Sequence, residues 1–346
     1  MVKNSFTRKF FSGLFVTLFL LVAGISCSGF NNETVTPEPE QATTPTTVPT
    51  QAPDRVILVA ASSASEEAIT EAQTFIAQLA AESGLEFETR DAIMANEVTP
   101  DIKVIVFLEQ PDNLGSLAAS APSTQFVAIS SQDWSPPPNG SIIRINNDHA
   151  AFLAGYLSAM IAPNFRVGAL QIAENNAFNQ AFMNGVYYFC GVCASVVFPY
   201  NTYPVVSQQP SASPPANWQV AFNEMNISSK VNVLFLPREA ATPELSTFLA
   251  SQDIAVVGNA PPPEELRGKW VATIHSDGLT ALQEMWTDLL DGIGGKVINA
   301  NLSFSDLNYL NIEYQLVGIT EGKMVQMKEI IELLRDERIY PYTMAQ

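Results

Sequence analysis

The sequence predicts an α/β chain with two lobes, each a mainly parallel sheet flanked by helices. Three observations carry this expectation. Continuous apolar runs of strand length recur along the chain, helix-length segments alternate with them, and the series restarts near residue 147 after one lobe's worth of strands is complete. At 346 residues the chain is too long for one small core.

Before the first strand come two segments of different composition. Lys3, Arg8 and Lys9 precede an uncharged apolar run from Phe10 to Ile25, which ends in Ser26-Cys27. A basic start, a short apolar core and a small residue before cysteine describe a lipoprotein signal peptide over residues 1–26, with Cys27 as the lipidated first residue of the mature chain. A spanning helix would need an apolar run nearer ~20 residues. Gly24 stands where leucine is more usual, and an uncleaved anchor is the alternative. Residues 27–53 are Thr, Pro, Glu and Gln with few large apolar side chains, a composition that cannot offset the entropy of ordering; Pro37, Pro39, Pro45, Pro49 and Pro53 make it an extended tether.

From Arg55 to Ala61 the residues form a continuous apolar strand, Ser65 to Ala81 an amphipathic helix, Leu85 to Arg90 and Lys103 to Leu108 two more strands. Leu114 to Ser120 follows as a helix, and Gln125 to Ser130 and Ile142 to Ile145 as strands. The second series opens with the helix Asp148 to Met160, where Phe152, Leu153, Tyr156, Leu157 and Met160 repeat at helical spacing while Ala154, Gly155, Ser158 and Ala159 let the helix approach a sheet closely. It continues with the strand Val167 to Ile172, the helix Ala177 to Phe189, a strand Ser195 to Phe198, a Pro- and Ser-rich excursion to Pro215, a short helix around Trp218 to Met225 and the strand Val231 to Leu236. Ile254 to Gly258 and Trp270 to Ile274 are read as strands returning to the first lobe, and Leu279 to Leu290 and Met324 to Leu334 as helices. The expected division is therefore 54–146 and 254–290 for lobe 1, and 147–253 and 291–346 for lobe 2.

Charge and cysteines bound the function. The chain has 17 basic and 35 acidic residues, a formal charge of −18; without residues 1–26 the basic count falls to 14 and the charge becomes −21. That balance disfavours nucleic acid and anionic lipid and suits an extracytoplasmic domain. Cys190 and Cys193 have the spacing of a small structural disulfide closing a helix end, with a redox pair as the alternative reading. Catalysis has little support: there is no Gly-x-Ser-x-Gly elbow, no His-Glu-x-x-His helix and no phosphate-cradling Gly-rich loop with Lys, and His149 and His275 are the two histidines. No enzyme activity, cofactor or metal site is expected.

The stretch Asp148-His149-Ala150-Ala151-Phe152-Leu153-Ala154-Gly155-Tyr156-Leu157-Ser158-Ala159-Met160, with Phe165-Arg166-Val167-Gly168-Ala169-Leu170 and Phe182-Met183-Asn184-Gly185-Val186, resembles the middle of the basic membrane protein family. These are lipid-anchored, purine nucleoside receptor-like substrate-binding proteins of ABC importers. The same residues also suit a core helix of any α/β protein. The resemblance implies a two-lobed type I periplasmic-binding-protein fold, an ABC permease as partner, no nucleic acid, and a small polar, nucleoside-like solute bound between the lobes.

In a sheet wound this way the carboxyl ends of the strands face the ligand. That places Ser63, Ser65, Glu109, Trp134, Asn176, Arg238, Asn259, His275 and Asp277 as candidate ligand contacts. Each has a structural alternative: Ser63 and Ser65 as helix caps, Asp277 as an N-cap, His275 as a satisfied or solvated side chain, Arg238 as a salt-bridge partner of Glu239, and Trp134 as packing on Pro136 to Pro138. By resemblance, Asn259 matches an aspartate of the family and His275 a lysine before Asp277. Ser62-Ser63-Ala64-Ser65 lacks the family's aromatic after the first strand, so purine nucleosides are expected to bind weakly unless Trp134 or Phe178 supplies the stacking face. A binding-protein fold acting as sensor or scaffold for a membrane partner is the alternative function.

Overall fold

The computed structural model describes residues 52–60, 66–132 and 135–342. The predicted signal peptide, most of the tether, and Cys27, Ser63, Ser65 and Trp134 lie outside the described residues. Gln51–Gln346 form one unit.

The first lobe is built on β1 (Arg55–Val59), β2 (Glu86–Arg90), β3 (Ile102–Phe107), β4 (Gln125–Ser130) and β5 (Gly140–Arg144), with α1 (Glu66–Glu82) and α2 (Leu114–Ser120) between them. All neighbours pair in parallel, in the order β2-β1-β3-β4-β5. Val56, Ile57 and Leu58 are wholly buried because β1 is covered on both faces, which is why its sequence is apolar without alternation. Val56, Leu58, Val104 and Val106 pack under α1, while Ile57, Ile105 and Phe107 face α2.

Lobe 2 repeats that plan. Its elements are α3 (Asn147–Ile161), β6 (Val167–Ile172), α4 (Asn176–Cys190), β7 (Cys193–Ala194), β8 (Thr202–Tyr203), β9 (Val205–Gln209), α5 (Pro215–Ser229), β10 (Val233–Leu236), α6 (Pro243–Ala250), β11 (Ala255–Gly258) and β12 (Trp270–Asp277). The sheet order β9-β6-β10-β11-β12 matches β2-β1-β3-β4-β5 strand for strand. β7 and β8 pair separately as a short antiparallel ladder. Period-two alternation divides β10 between two cores: Val233 and Phe235 lie with α3 and α4, Leu234 and Leu236 with α5 and α6.

After β12 the chain passes back. α7 (Gly278–Leu290) buries Ala281, Leu282, Met285, Trp286 and Leu289 against the lobe 1 sheet, and Trp286 Nε1–H donates to Ser83 Oγ at 2.9 Å. β13 (Val297–Asn299) adds a sixth parallel strand beside β5, and β14 (Asn301–Ser305) adds an antiparallel sixth strand beside β12. The hairpin β15 (Leu310–Ile312) and β16 (Gln315–Val317) and the helix α8 (Glu321–Arg335) finish lobe 2.

Several expectations are corrected here. β11 and β12 belong to the second sheet, not the first, so 254–277 stays in lobe 2; β13, expected in lobe 2, pairs in lobe 1. α6 joins β10 to β11 as an ordinary strand-helix-strand unit, and such units keep successive strands in one sheet. No strand spans Ser195 to Phe198: the chain turns sharply at Cys190 and Cys193, whose Sγ atoms are bonded with Cα atoms 5.3 Å apart. Gly155 approaches a helix rather than the sheet. A Cβ at Gly155 would collide with the Phe182 carbonyl oxygen, and one at Gly185 with that of Phe152, so α3 and α4 cross backbone to backbone at these two glycines.

Candidate functional site: a cleft between the lobes

Three segments connect the lobes, and they are bonded to one another. Ser276 Oγ–H, at the β12–α7 crossing, donates to the Asn146 carbonyl at the β5–α3 crossing (3.1 Å). The amide of Ala300, between β13 and β14, donates to the Arg144 carbonyl (2.8 Å). Asp277 pairs with Asn301 across β12 and β14. These bonds gather the three connections side by side, the arrangement of a hinge between two lobes.

Two cavities meet at Asn147, the first residue of α3. On the lobe 1 side, about 310 Å³ is lined by Glu109 after β3, Ser130 to Gln132 after β4, and Ile145 after β5. On the lobe 2 side, about 240 Å³ is lined by Gln171 in β6, Asn175, Phe178 and Asn179 at the start of α4, and Arg238, Glu239 and Asn259 after β10 and β11. Asn147 lines both. Side-chain carboxamides dominate the lobe 2 half, and Phe178, packed on Phe235 with ring centroids 5.8 Å apart, supplies an aromatic wall.

These amides are held by their own hydrogen bonds. Asn179 Nδ2–H donates to the Ile172 carbonyl (2.8 Å), and Gln208 Nε2–H reaches Gln171 Oε1 (3.2 Å). Asn259 Oδ1 accepts the Arg238 amide N–H at 2.9 Å, which fixes the turn that carries Arg238. Gln171 and Asn179 are almost fully buried, so each must be paired to avoid a desolvation cost of about 1–3 kcal/mol.

Arg238 and Asn259 are thus brought together in one cavity, and Glu109 stands in the other. Asn176 lines a neighbouring groove with Gln180, Gln208 and Tyr342 instead. Asp277 takes the capping alternative: its carboxylate accepts the Thr280 amide (2.9 Å) and hydroxyl (2.6 Å) at the start of α7. His275, in register with Ser303 of β14, lines neither cleft cavity, and its Nδ1 is buried without a hydrogen bond among the described residues. Asn147, Gln171 and Asn179 escaped the sequence reading; a glutamine inside the otherwise apolar run Val167–Ile172 was the available signal for the second.

No protein-family model matches the sequence, and no curated protein does either. Solved structures do. A transcriptional activator of the comK gene from Bacillus halodurans superposes with TM-score 0.58 at 10% identity, covering 83% of this chain and 100% of that one. An ABC transporter solute-binding protein from Aeropyrum pernix K1 gives 0.56 at 14% identity, over 83% and 93%. The chain has a periplasmic-binding-protein fold. An ABC transporter solute-binding protein from Bradyrhizobium sp. BTAi1, solved with Bis-Tris bound, gives 0.51 at 10% identity, over 73% and 82%. At these identities the likeness concerns the fold. Among the described residues no helix is long and apolar enough to cross a membrane, and no group of three or more His, Cys, Asp and Glu side chains is placed to hold a metal ion.

Proposed function

We propose that the chain is an extracytoplasmic solute receptor of an ABC importer, anchored by lipid at Cys27, of the basic membrane protein kind. The observation that carries the reading is the pair of polar cavities at opposed strand ends, which share Asn147 and are joined by a three-strand hinge. A small uncharged polar solute suits the carboxamide-rich half, with Phe178 as a face for a ring and Arg238 at the rim. Closure of the hinge would present the bound form to a permease. Its ligand is nucleoside-like only in the resemblance of the Phe152–Tyr156 and Phe182–Val186 motifs.

A sensor or scaffold role is favoured by one observation, that Asp277, Asn259 and Gln171 already spend hydrogen-bonding capacity inside the protein. A thermal-shift screen of residues 51–346 against nucleosides, sugars, amino acids and small anions separates the two. A receptor gains about 2.7 kcal/mol at a hundredfold excess of ligand over Kd. No shift with any solute at millimolar concentration would leave the sensor reading.

A further inference from the structure

The end of lobe 2 opposite the cleft carries an apolar surface that the solute site does not explain. From Asn175 to Asn223 the sequence contains no Asp, Glu, Lys, Arg or His, in a chain with 35 acidic and 17 basic residues. Within that stretch the loop after α4 exposes Val192 (78%), Val196 (79%), Phe198 (69%) and Tyr200 (74%). Beside it Ile227 at the end of α5 and Tyr314 at the tip of the β15–β16 hairpin are also exposed.

These tips are held rigidly, at the cost of ordering an apolar surface in water. Arg166, almost fully buried, donates from Nη2 to the Phe198 carbonyl (2.6 Å) and from Nη1 to the Glu313 carboxylate (2.9 Å), so one guanidinium pins both the loop and the hairpin. Ser195 Oγ–H bonds to the Val197 carbonyl (2.7 Å), Asn201 Nδ2–H to the Ser228 carbonyl (3.0 Å), and the Cys190–Cys193 bond braces the loop's start. Such order favours a surface prepared for a partner.

We infer that this pole is a membrane-contact surface, seated in the boundary between headgroups and acyl chains of a bilayer. Aliphatic and phenyl side chains are exposed together with Tyr200, whose ring packs edge-on to Phe198, and with Tyr314, and tyrosine rings suit lipid with their hydroxyls in the headgroup layer. Lys230 lies with Nζ 5.6 Å from the Phe198 ring centroid, where it can reach up to phosphate while its stem stays on the apolar surface. Glu313 is neutralised by Arg166. An uncharged patch on an acidic protein selects neutral or zwitterionic lipid, because the remaining charge of the chain repels an anionic surface.

The insertion does not rest on the lipid-anchor reading.

Residues 51–346, which contain every core cluster described, are mixed with phosphatidylcholine vesicles and floated on a density gradient, alone and as Phe198→Trp for fluorescence. The proposal expects co-flotation, a blue shift of the new tryptophan and its quenching by brominated lipid. Val196→Asp with Phe198→Ser should lower the bound fraction roughly tenfold or more, since each buried methylene counts, without changing Tm. No flotation and unchanged emission would overturn it. So would self-association in sedimentation velocity that the double substitution abolishes, which would assign the surface to a second copy. Binding confined to phosphatidylglycerol vesicles and indifferent to the double substitution would also overturn it. The assay contains no solute, so its outcome is separate from that of the solute screen.

Discussion

In lobe 1 the outer strand ends are ionic. Arg55 lies 2.7 Å from Asp101 and 3.1 Å from Glu88, and Lys103 lies 3.2 Å from Asp54. In lobe 2 the corresponding end buries Arg166 under an uncharged apolar loop, and its surface ion pair, Arg267 with Glu264 (2.6 Å), stands apart before β12. Both ends sit on the same strand order, so topology alone does not decide what a pole presents. The inner ends differ as well: serines, Gln132 and Glu109 line the lobe 1 cavity, whereas five carboxamides, among them the buried Gln171 and Asn179, line that of lobe 2. The fold supplies two equivalent frames, and the side chains give each a different surface.

The largest expected effect tests the part of lobe 2 that lobe 1 lacks. Gly185→Ala drives a Cβ into the Phe152 carbonyl at the α3–α4 crossing and should destabilise by about 3 kcal/mol or more in urea unfolding. Gly115→Ala, in α2 of lobe 1, meets nothing within 4 Å and should be neutral or stabilise by about 0.5–1 kcal/mol. Equal effects would break the contrast.

Next comes the buried amide network. Gln171→Ala removes the partner of Gln208 beneath the lobe 2 cavity and is expected to cost about 1–3 kcal/mol of stability. Gln132→Ala, at the half-open lobe 1 cavity, should stay within about 0.5 kcal/mol as surface changes do.

Asp277→Ala sharpens the division between site and scaffold. It should cost about 1 kcal/mol as a lost N-cap of α7 and leave solute affinity nearly unchanged. Asn259→Ala, by contrast, should weaken the solute by about 1–3 kcal/mol. Titration calorimetry on both variants checks the pair, and an affinity loss confined to Asp277→Ala would reverse the assignment.

The smallest effect is a pH slope. Burial holds the His149 pKa below its ordinary value, against the opposing pull of Asp148 and Glu337. The native state therefore keeps this imidazole neutral while the unfolded chain protonates it near pH ~6.5. Stability should be flat above that pH, fall as pH drops below it, and level off under the native pKa, with a slope of at most about 1.4 kcal/mol per pH unit. His149→Gln should remove the slope in urea titrations run between those limits.

Much of the fold was legible because buried parallel strands are apolar throughout: β4 and β6 fall on the residues the pattern marks. β9 was not, since its Val-Val-Ser-Gln-Gln follows a proline and forms the sheet edge, where polar residues are tolerated. α6 carried a readable start in Thr242-Pro243, whose threonine accepts the Leu245 amide, and missing it hid the unit that keeps β11 in lobe 2. In the site, Arg238 and Asn259 followed from strand ends, but Asn147, Gln171 and Asn179 lie in a helix start, a strand interior and a buried helix face. Only the packing of α3 and α4 against β6 brings those three to one place.

If the proposed receptor closes its two lobes about Asn147 on binding, the molecule should shrink. Small-angle X-ray scattering of residues 51–346, with and without the solute found by the thermal screen at a hundredfold excess over Kd, reads this out. A smaller radius of gyration is expected in the bound form, and an unchanged radius at full occupancy would rule closure out.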